Sequence, residues 1–434
     1  MKSTQLPALI CFLFFLLLSD VSVAATFGLS SADNVTGDGD ERQQRFLFEQ
    51  PLQLSLTYRN YGLGIGDVPV VHGVRINYRD HNLRVINGIN MTIRQPKDFD
   101  LANSRIRGLA IGLPLTGGGQ LRGISLAVFG AGYAQSAHGI HLSGLGLGSG
   151  GSVRGITVSG LGVGAGGHLR GITVAGLGAG SASGVSGVHL AGLGLGSGGP
   201  VQGVTFGGIG VGSSEKISGI ALSLGGIGSS GSIRGITVAG LGAGSGESIS
   251  GITLAGLGVG SGGPIHGLTF GGLGIGSGES IRGVMLSAVG IGSGLRLSGL
   301  AVAGLGIGTG GSITGVSLTG MGTVAGQEIR GLHISGVGMG SNQINGVTAS
   351  LFTEVYGSAT GLFIAPLRFR LQEDAYLRGV SIGAHNRIKG TQHGLTIGLY
   401  NFARHLNGVQ IGLLNYAGNN PAGLRLLPLV NANL

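Results

Sequence analysis

The chain has 434 residues, of which 96 are glycine, one is cysteine and none is tryptophan; its formal charge is +9, with 10% charged and 42% hydrophobic residues. Disordered chains combine low hydrophobicity with high charge, and this one does the reverse, with a mean hydropathy of +0.41. Ten prolines and no three-residue glycine period exclude collagen, and the apolar content excludes a Gly/Ser linker.

Residues 1–24 read as a secretory signal. Lys2 is the positive start, 6–18 the short apolar core, and Ser22, Val23 and Ala24 the small residues before a cut near Ala25. That core is too short to span a bilayer, and no later apolar run reaches spanning length, so the mature chain is expected to carry no transmembrane helix. Cys11 lies inside the leader, which leaves the mature chain without cysteine and without disulfides, as suits an oxidising exterior. Residues 25–70, polar around "TGDGDERQQRF", are expected to cap the first sheet edge. Irregular first coils follow over 71–122, around Gly73, Gly88 and Gly108.

From 123 to 346 a glycine that precedes an aliphatic residue returns every 16 residues, at Gly123, Gly139, Gly155 and onward to Gly331. Such self-similarity fixes the architecture before anything else. Around Gly235 the apolar places are Ile233, Ile236, Val238, Leu241 and Ala243, and the run "ITV" predicts a strand alternating in, out, in. Parity shifts after Ala239, so each repeat predicts two short strands joined by corners. The expected fold is all-β, an elongated β-solenoid of parallel stacked coils with irregular terminal caps. One coil cannot bury enough to hold itself, so stacking must complete its backbone pairing. Seven residues after each anchor stands a further glycine, such as Gly242 or Gly258, and in the C-terminal units the equivalent place is asparagine: Asn386, Asn401 and Asn415. Both residue types tolerate the left-handed conformation, which predicts a positive-φ corner there.

Residues 347–378 break the spacing with several aromatics, as an outward loop or a wider coil, and 379–434 form the C-terminal coils and cap. Here "GLTIGLYNFA", "GVQIGLLNYA" and the terminal "LPLVNA" resemble a group of bacterial surface-repeat proteins of unknown function, of leptospiral and Bacteroidota type. Val71 to Ile93 resembles that group's opening coils. The resemblance implies an exported or outer-surface location and carries over no catalytic residue.

The array offers little chemistry. No aspartate lies between Asp100 and Asp374, and Glu215, Glu247 and Glu279 occupy one corner on alternate coils, ~9.6 Å apart by stacking distance. That is too far for a retaining pair of carboxylates and at the limit for an inverting one, so they read as solvated corner residues. Glycine runs such as "GLGIGSGES" lack the following helix that a phosphate loop needs. His138, His141, His168 and His189 supply no third converging metal ligand. No enzyme activity, metal or cofactor is expected. Immediately before the anchors, Arg122, Arg154, Arg170, Arg234, Arg282 and Arg330 share a column with His138 and His266. This sparse basic ridge would meet an anionic envelope glycan or lipid, or a host or neighbouring surface, rather than nucleic acid; its bland reading is a charge rank that prevents sideways association. Thr157, Thr173, Thr205, Thr237, Thr253 and Thr269 would form a rank of the kind that ice-binding solenoids display, interrupted by His141, His189, Ala221, Met285 and His333. The expected function is an exported structural or interaction protein at the bacterial envelope or surface, with the periplasm an alternative site. Rival readings are an outer-membrane β-barrel, an ice-binding solenoid and a carbohydrate-active enzyme.

Overall fold

The computed structural model describes residues 22–26 as backbone, then 53–94 and 103–433. The predicted leader, apart from 22–24, and much of the predicted cap lie outside these residues. The chain divides into two compact units, Met1–Gly207 and Gly208–Leu434.

In the second unit the coil is a long strand, Ile233–Ala239, and a short one, Gly242–Ser245, followed by Ile249–Ala255 and Gly258–Ser261 in the next coil. The pairing is parallel and in register: Ile233 faces Ile249, Gly235 faces Gly251, and Ala243 faces Val259. The first unit repeats the plan, with Ser152–Ser159 on His168–Ala175 and Gly162–Ala165 on Gly178–Ser181. Each unit is therefore a parallel β-solenoid. Pairing of each residue with the one sixteen further on belongs to a chain wound on itself. An outer-membrane barrel pairs sequential antiparallel strands, so the barrel alternative is overturned for the described residues.

The direction of the side chains reverses the sequence expectation. Ile233, Thr237, Ala239, Ala243 and Ser245 are buried, whereas Ile236 and Leu241 are exposed and Val238 is half-buried. The run "ITV" thus alternates out, in, out. Hydropathy would turn the β-branched pair inward, but then Ala239 and its small counterparts, Ser223 and Gly271, would face solvent and the aliphatics would crowd a thin interior. The coil instead encloses one aliphatic from each strand with small residues between them. Serines lock its second corner: Ser245 Oγ donates to Gly231 O at 2.6 Å and to Ser248 O at 3.1 Å, and Ser229, Ser261, Ser277 and Ser293 each donate likewise to the carbonyl fourteen residues earlier.

The anchor glycine is a backbone requirement. Gly251 has φ +111°, and a Cβ there would lie 2.2 Å from Gly235 O. The glycines seven residues on do not have positive φ, so the predicted left-handed corner is a left-handed strand centre instead. Nor are Asn386, Asn401 and Asn415 their equivalents. Asn386 pairs with Phe369, in the inward column that includes Ala243, Val259 and Ile275. Shorter spacing in this region moves the register by one residue, and all three asparagines are fully buried.

Residues 347–378 continue the winding rather than looping out. Phe352–Ile364 pairs with Arg368–Leu371 and Tyr376–Ile382, and the wider coil is filled by Phe363 and Phe369, whose ring centres lie 5.2 Å apart. In the first unit, Gln53–Tyr58 lies antiparallel to Tyr61–Gly66, which starts the parallel stack on Val70–Arg79. In the second, Leu426–Asn433 returns antiparallel along the last coil of His385–Ala417. Both arrangements cover an edge that would otherwise template further pairing. Close to the first of them, Arg75 is fully buried between Asp67, at 3.2 Å, and Asp80, with Asn90 accepting a further bond.

Candidate functional site

Alternation along Ile233–Ala239 places Arg234, Ile236 and Val238 on one outward side. In-register stacking repeats each of them about every 4.8 Å, so a flat face carries one basic and polar rank beside two aliphatic ranks. In the first unit Arg107, Arg122, His138, Arg154 and Arg170 follow one another in register on successive coils. Ile140, Ile156, Ile172 and Val188 make the adjoining rank, and Leu142, Val158, Val174 and Leu190 the next; each is between 37% and 45% exposed. At the corner beyond, Leu145, Leu161, Leu177 and Leu193 are more exposed still. Soluble monomers rarely expose contiguous apolar patches above a few hundred Å², and larger ones mark interaction surfaces.

The second unit carries the same face with fewer charges. Arg234, Arg282 and Arg330 are exposed, with Ser250, His266, Ser298 and Thr314 between them in the rank. Exposed Ile236, Ile252 and Leu268 adjoin them. Arg330 is locally offset: its Nε and Nη2 donate to Glu328 Oε1 at 3.1 and 2.8 Å. Basic side chains follow one another most closely along this rank in the first unit, where burial and then the charges of Arg154 and Arg122 lower the pKa of His138.

The six predicted ridge arginines thus all face outward, and of the six Arg154 and Arg170 lie on adjacent coils. Sequence spacing missed Arg107 and Arg378, which also precede anchors, Gly108 and Gly379, but lie where the sixteen-residue period fails. The aliphatic ranks also escape the sequence reading, because hydropathy assigns the same residues to the core.

The other candidates fall elsewhere. Thr157, Thr173, Thr205, Thr237, Thr253 and Thr269 are each 1% exposed, so their hydroxyls point into the coil and present no rank to ice. Burial pushes the pKa of His141 in the same inward rank down to about 4 and lowers those of His189 and His333, the last accepting or donating a 2.7 Å bond with Ser317 Oγ. Glu215, Glu247 and Glu279 are exposed corner residues. Among the described residues no group of three metal-ligating side chains comes together, and no helix is long and apolar enough to cross a membrane. No family model, curated protein or solved structure matches the chain.

Proposed function

We propose that the protein is an exported, non-enzymatic scaffold of the bacterial envelope, related to the surface-repeat group named above, whose long-strand face lies against anionic lipid headgroups. One observation carries the reading: the exposed Ile156 and Val158 ranks run beside the Arg122, Arg154 and Arg170 rank on the same flat face. Arginines alone would serve an anionic glycan equally well. Aliphatic ranks give nothing to a sugar's hydroxyls, but at a bilayer they enter the acyl boundary while the guanidiniums remain among the headgroups. Export rests on Lys2, the apolar 6–18 run and the small residues before Ala25.

Co-sedimentation of residues 25–434 with phosphatidylglycerol or phosphatidylcholine vesicles tests it. Binding is expected to favour the anionic vesicles and to weaken with salt. Arg154→Gln with Arg170→Gln should cost about 2 kcal/mol, near thirtyfold, and Ile156→Ser with Val158→Ser should reduce binding at every salt concentration. Equal binding to both vesicles, or none, rejects the reading. Binding to a phosphorylated glycan that ignores the serine substitutions transfers the face to glycans.

A further inference from the structure

On the opposite strand of the coil the outward residues are nearly all glycine. Gly242, Gly258, Gly274, Gly290 and Gly306 form one rank, and Gly244, Gly260, Gly276, Gly292 and Gly308 the next. Two columns of bare backbone result. Beyond Gly306 this changes. The first rank continues through Gly322 and Gly338 to Phe352, Arg368 and His385, and the second through Val324 and Gly340 to Glu354, Arg370 and Arg387. Gly338 and Gly340 therefore lie as a bare floor on a single coil, with the Val324 side chain on the coil before and the Phe352 and Glu354 side chains on the coil after.

The result is an open groove of about 910 Å³ within the second unit. That is the size of a small-molecule pocket. Its walls are apolar on most sides, from Met321, Val324, Val337, Phe352 and Tyr356, and its far end carries Arg368 and Arg370. Glu354 is the single carboxylate there and is already engaged, by Arg370 Nη1 at 3.4 Å and by Gln372 Nε2 at 2.7 Å. Arg368 has no carboxylate partner among the described residues, and the Nε atoms of both arginines are buried without an acceptor. On the next coil the charge excess continues in Arg387. His385 between them has a lowered pKa, through burial first and then through Arg368 and Arg387.

We propose that this groove binds an anionic amphiphile, one acyl chain lying over Gly338 and Gly340 between Val324 and Phe352, with its phosphate or carboxylate head at Arg368 and Arg370. Charge complementarity selects the head and the apolar walls select the chain. The wider aromatic coil at 347–378 then has a role: Phe363 and Phe369 fill its interior while Phe352, Arg368 and Arg370 face the ligand. The groove lies on the short-strand side and is independent of the long-strand reading above.

Isothermal titration of residues 25–434 with dodecyl phosphate, kept below its micelle concentration, tests the proposal against dodecyl maltoside and inorganic phosphate. Saturable one-to-one binding of dodecyl phosphate is expected, at least tenfold tighter than either control. Gly338→Leu should abolish it with an unchanged circular dichroism spectrum, since a Cβ at Gly338 meets nothing within 4 Å. Arg368→Gln should weaken dodecyl phosphate about tenfold and leave the maltoside unchanged. Equal binding of the maltoside, displacement by inorganic phosphate at similar concentration, or unchanged binding by folded Gly338→Leu would each overturn the proposal. Vesicle binding by the long-strand face should be untouched by Gly338→Leu, which separates the two sites.

Discussion

The regular coils of the second unit and its C-terminal coils wind alike but fill the same inward column with opposite chemistry. In the regular coils the column reads Ala243, Val259, Ile275 and Ile291; in the last coils it reads Asn386, Asn401 and Asn415. Asn386 Nδ2 donates to Asn401 Oδ1 and Asn401 Nδ2 to Asn415 Oδ1, each at 2.8 Å, while backbone carbonyls take a second bond from each amide. The long strands of both regions nevertheless keep a left-handed glycine, Gly251 at φ +111° and Gly394 at φ +125°. The backbone position is compulsory, whereas the filling can be exchanged, here for buried amides that bond one another and the backbone.

The most damaging test of that contrast is Gly251→Ala. Its Cβ would lie against Gly235 O in a conformation that L residues resist, so the variant should lose about 4 kcal/mol. Hydrogen exchange should show the loss centred on the coils around 251, because solenoid stability is a sum over neighbouring repeats. Next comes Asn401→Ala, which leaves Asn415 Oδ1 without its donor, takes one acceptor from Asn386 Nδ2 and should cost about 3 kcal/mol. Val259→Ala, in the same column but with no polar neighbour to strand, should cost less in the same urea titration. If the two alanine variants are equally mild, the asparagines are not acting as a ladder.

A third contrast sets His141 against Thr157 in the inward rank of the first unit. The folded protein holds His141 neutral, with its pKa down at about 4 against 6.5 for the free side chain. The unfolded chain therefore takes up its proton first as the pH falls. Stability is intact above about 6.5, declines between 6.5 and 4, and at pH 5 should be lower by about 2 kcal/mol from this residue alone. His141→Thr should flatten that part of the stability profile. The smallest effect is expected at Gly260, whose absent Cβ would meet nothing within 4 Å and whose φ is not positive. Gly260→Ala should be neutral or stabilise by about 0.5–1 kcal/mol by restricting the unfolded chain. Opposite outcomes at Gly251 and Gly260 would show that glycine has two separate uses in one repeat.

Period and architecture were legible because the anchor glycines keep strict spacing, and strict spacing in a chain this apolar permits little besides stacked coils. Direction was not. Ile236 and Val238 carry the hydropathy, but Ala239 and Ser245 decide the packing, since only small residues allow the two strands of a coil to approach. The asparagines misled for a related reason: a repeat shortened by one residue moves Asn386 from an apparent corner into the core column, and counting from the anchor hides the shift. The basic rank was visible wherever the period held and lost at Arg107 and Arg378. Its apolar neighbours could not be recognised as a surface while they were read as interior. The groove near Gly338 needed both strands' registers, which no single repeat reveals.

The central claim is that the coil turns its larger aliphatics outward and its small residues inward. Cys11 is the chain's one cysteine, so single cysteines placed in residues 25–434 report accessibility directly. With Ile236→Cys and Ala239→Cys, the rate of modification by a small polar iodoacetamide should approach that of a free thiol at 236 and be suppressed at least a hundredfold at 239. Protection at 236 with rapid labelling at 239 in the folded protein would contradict the account.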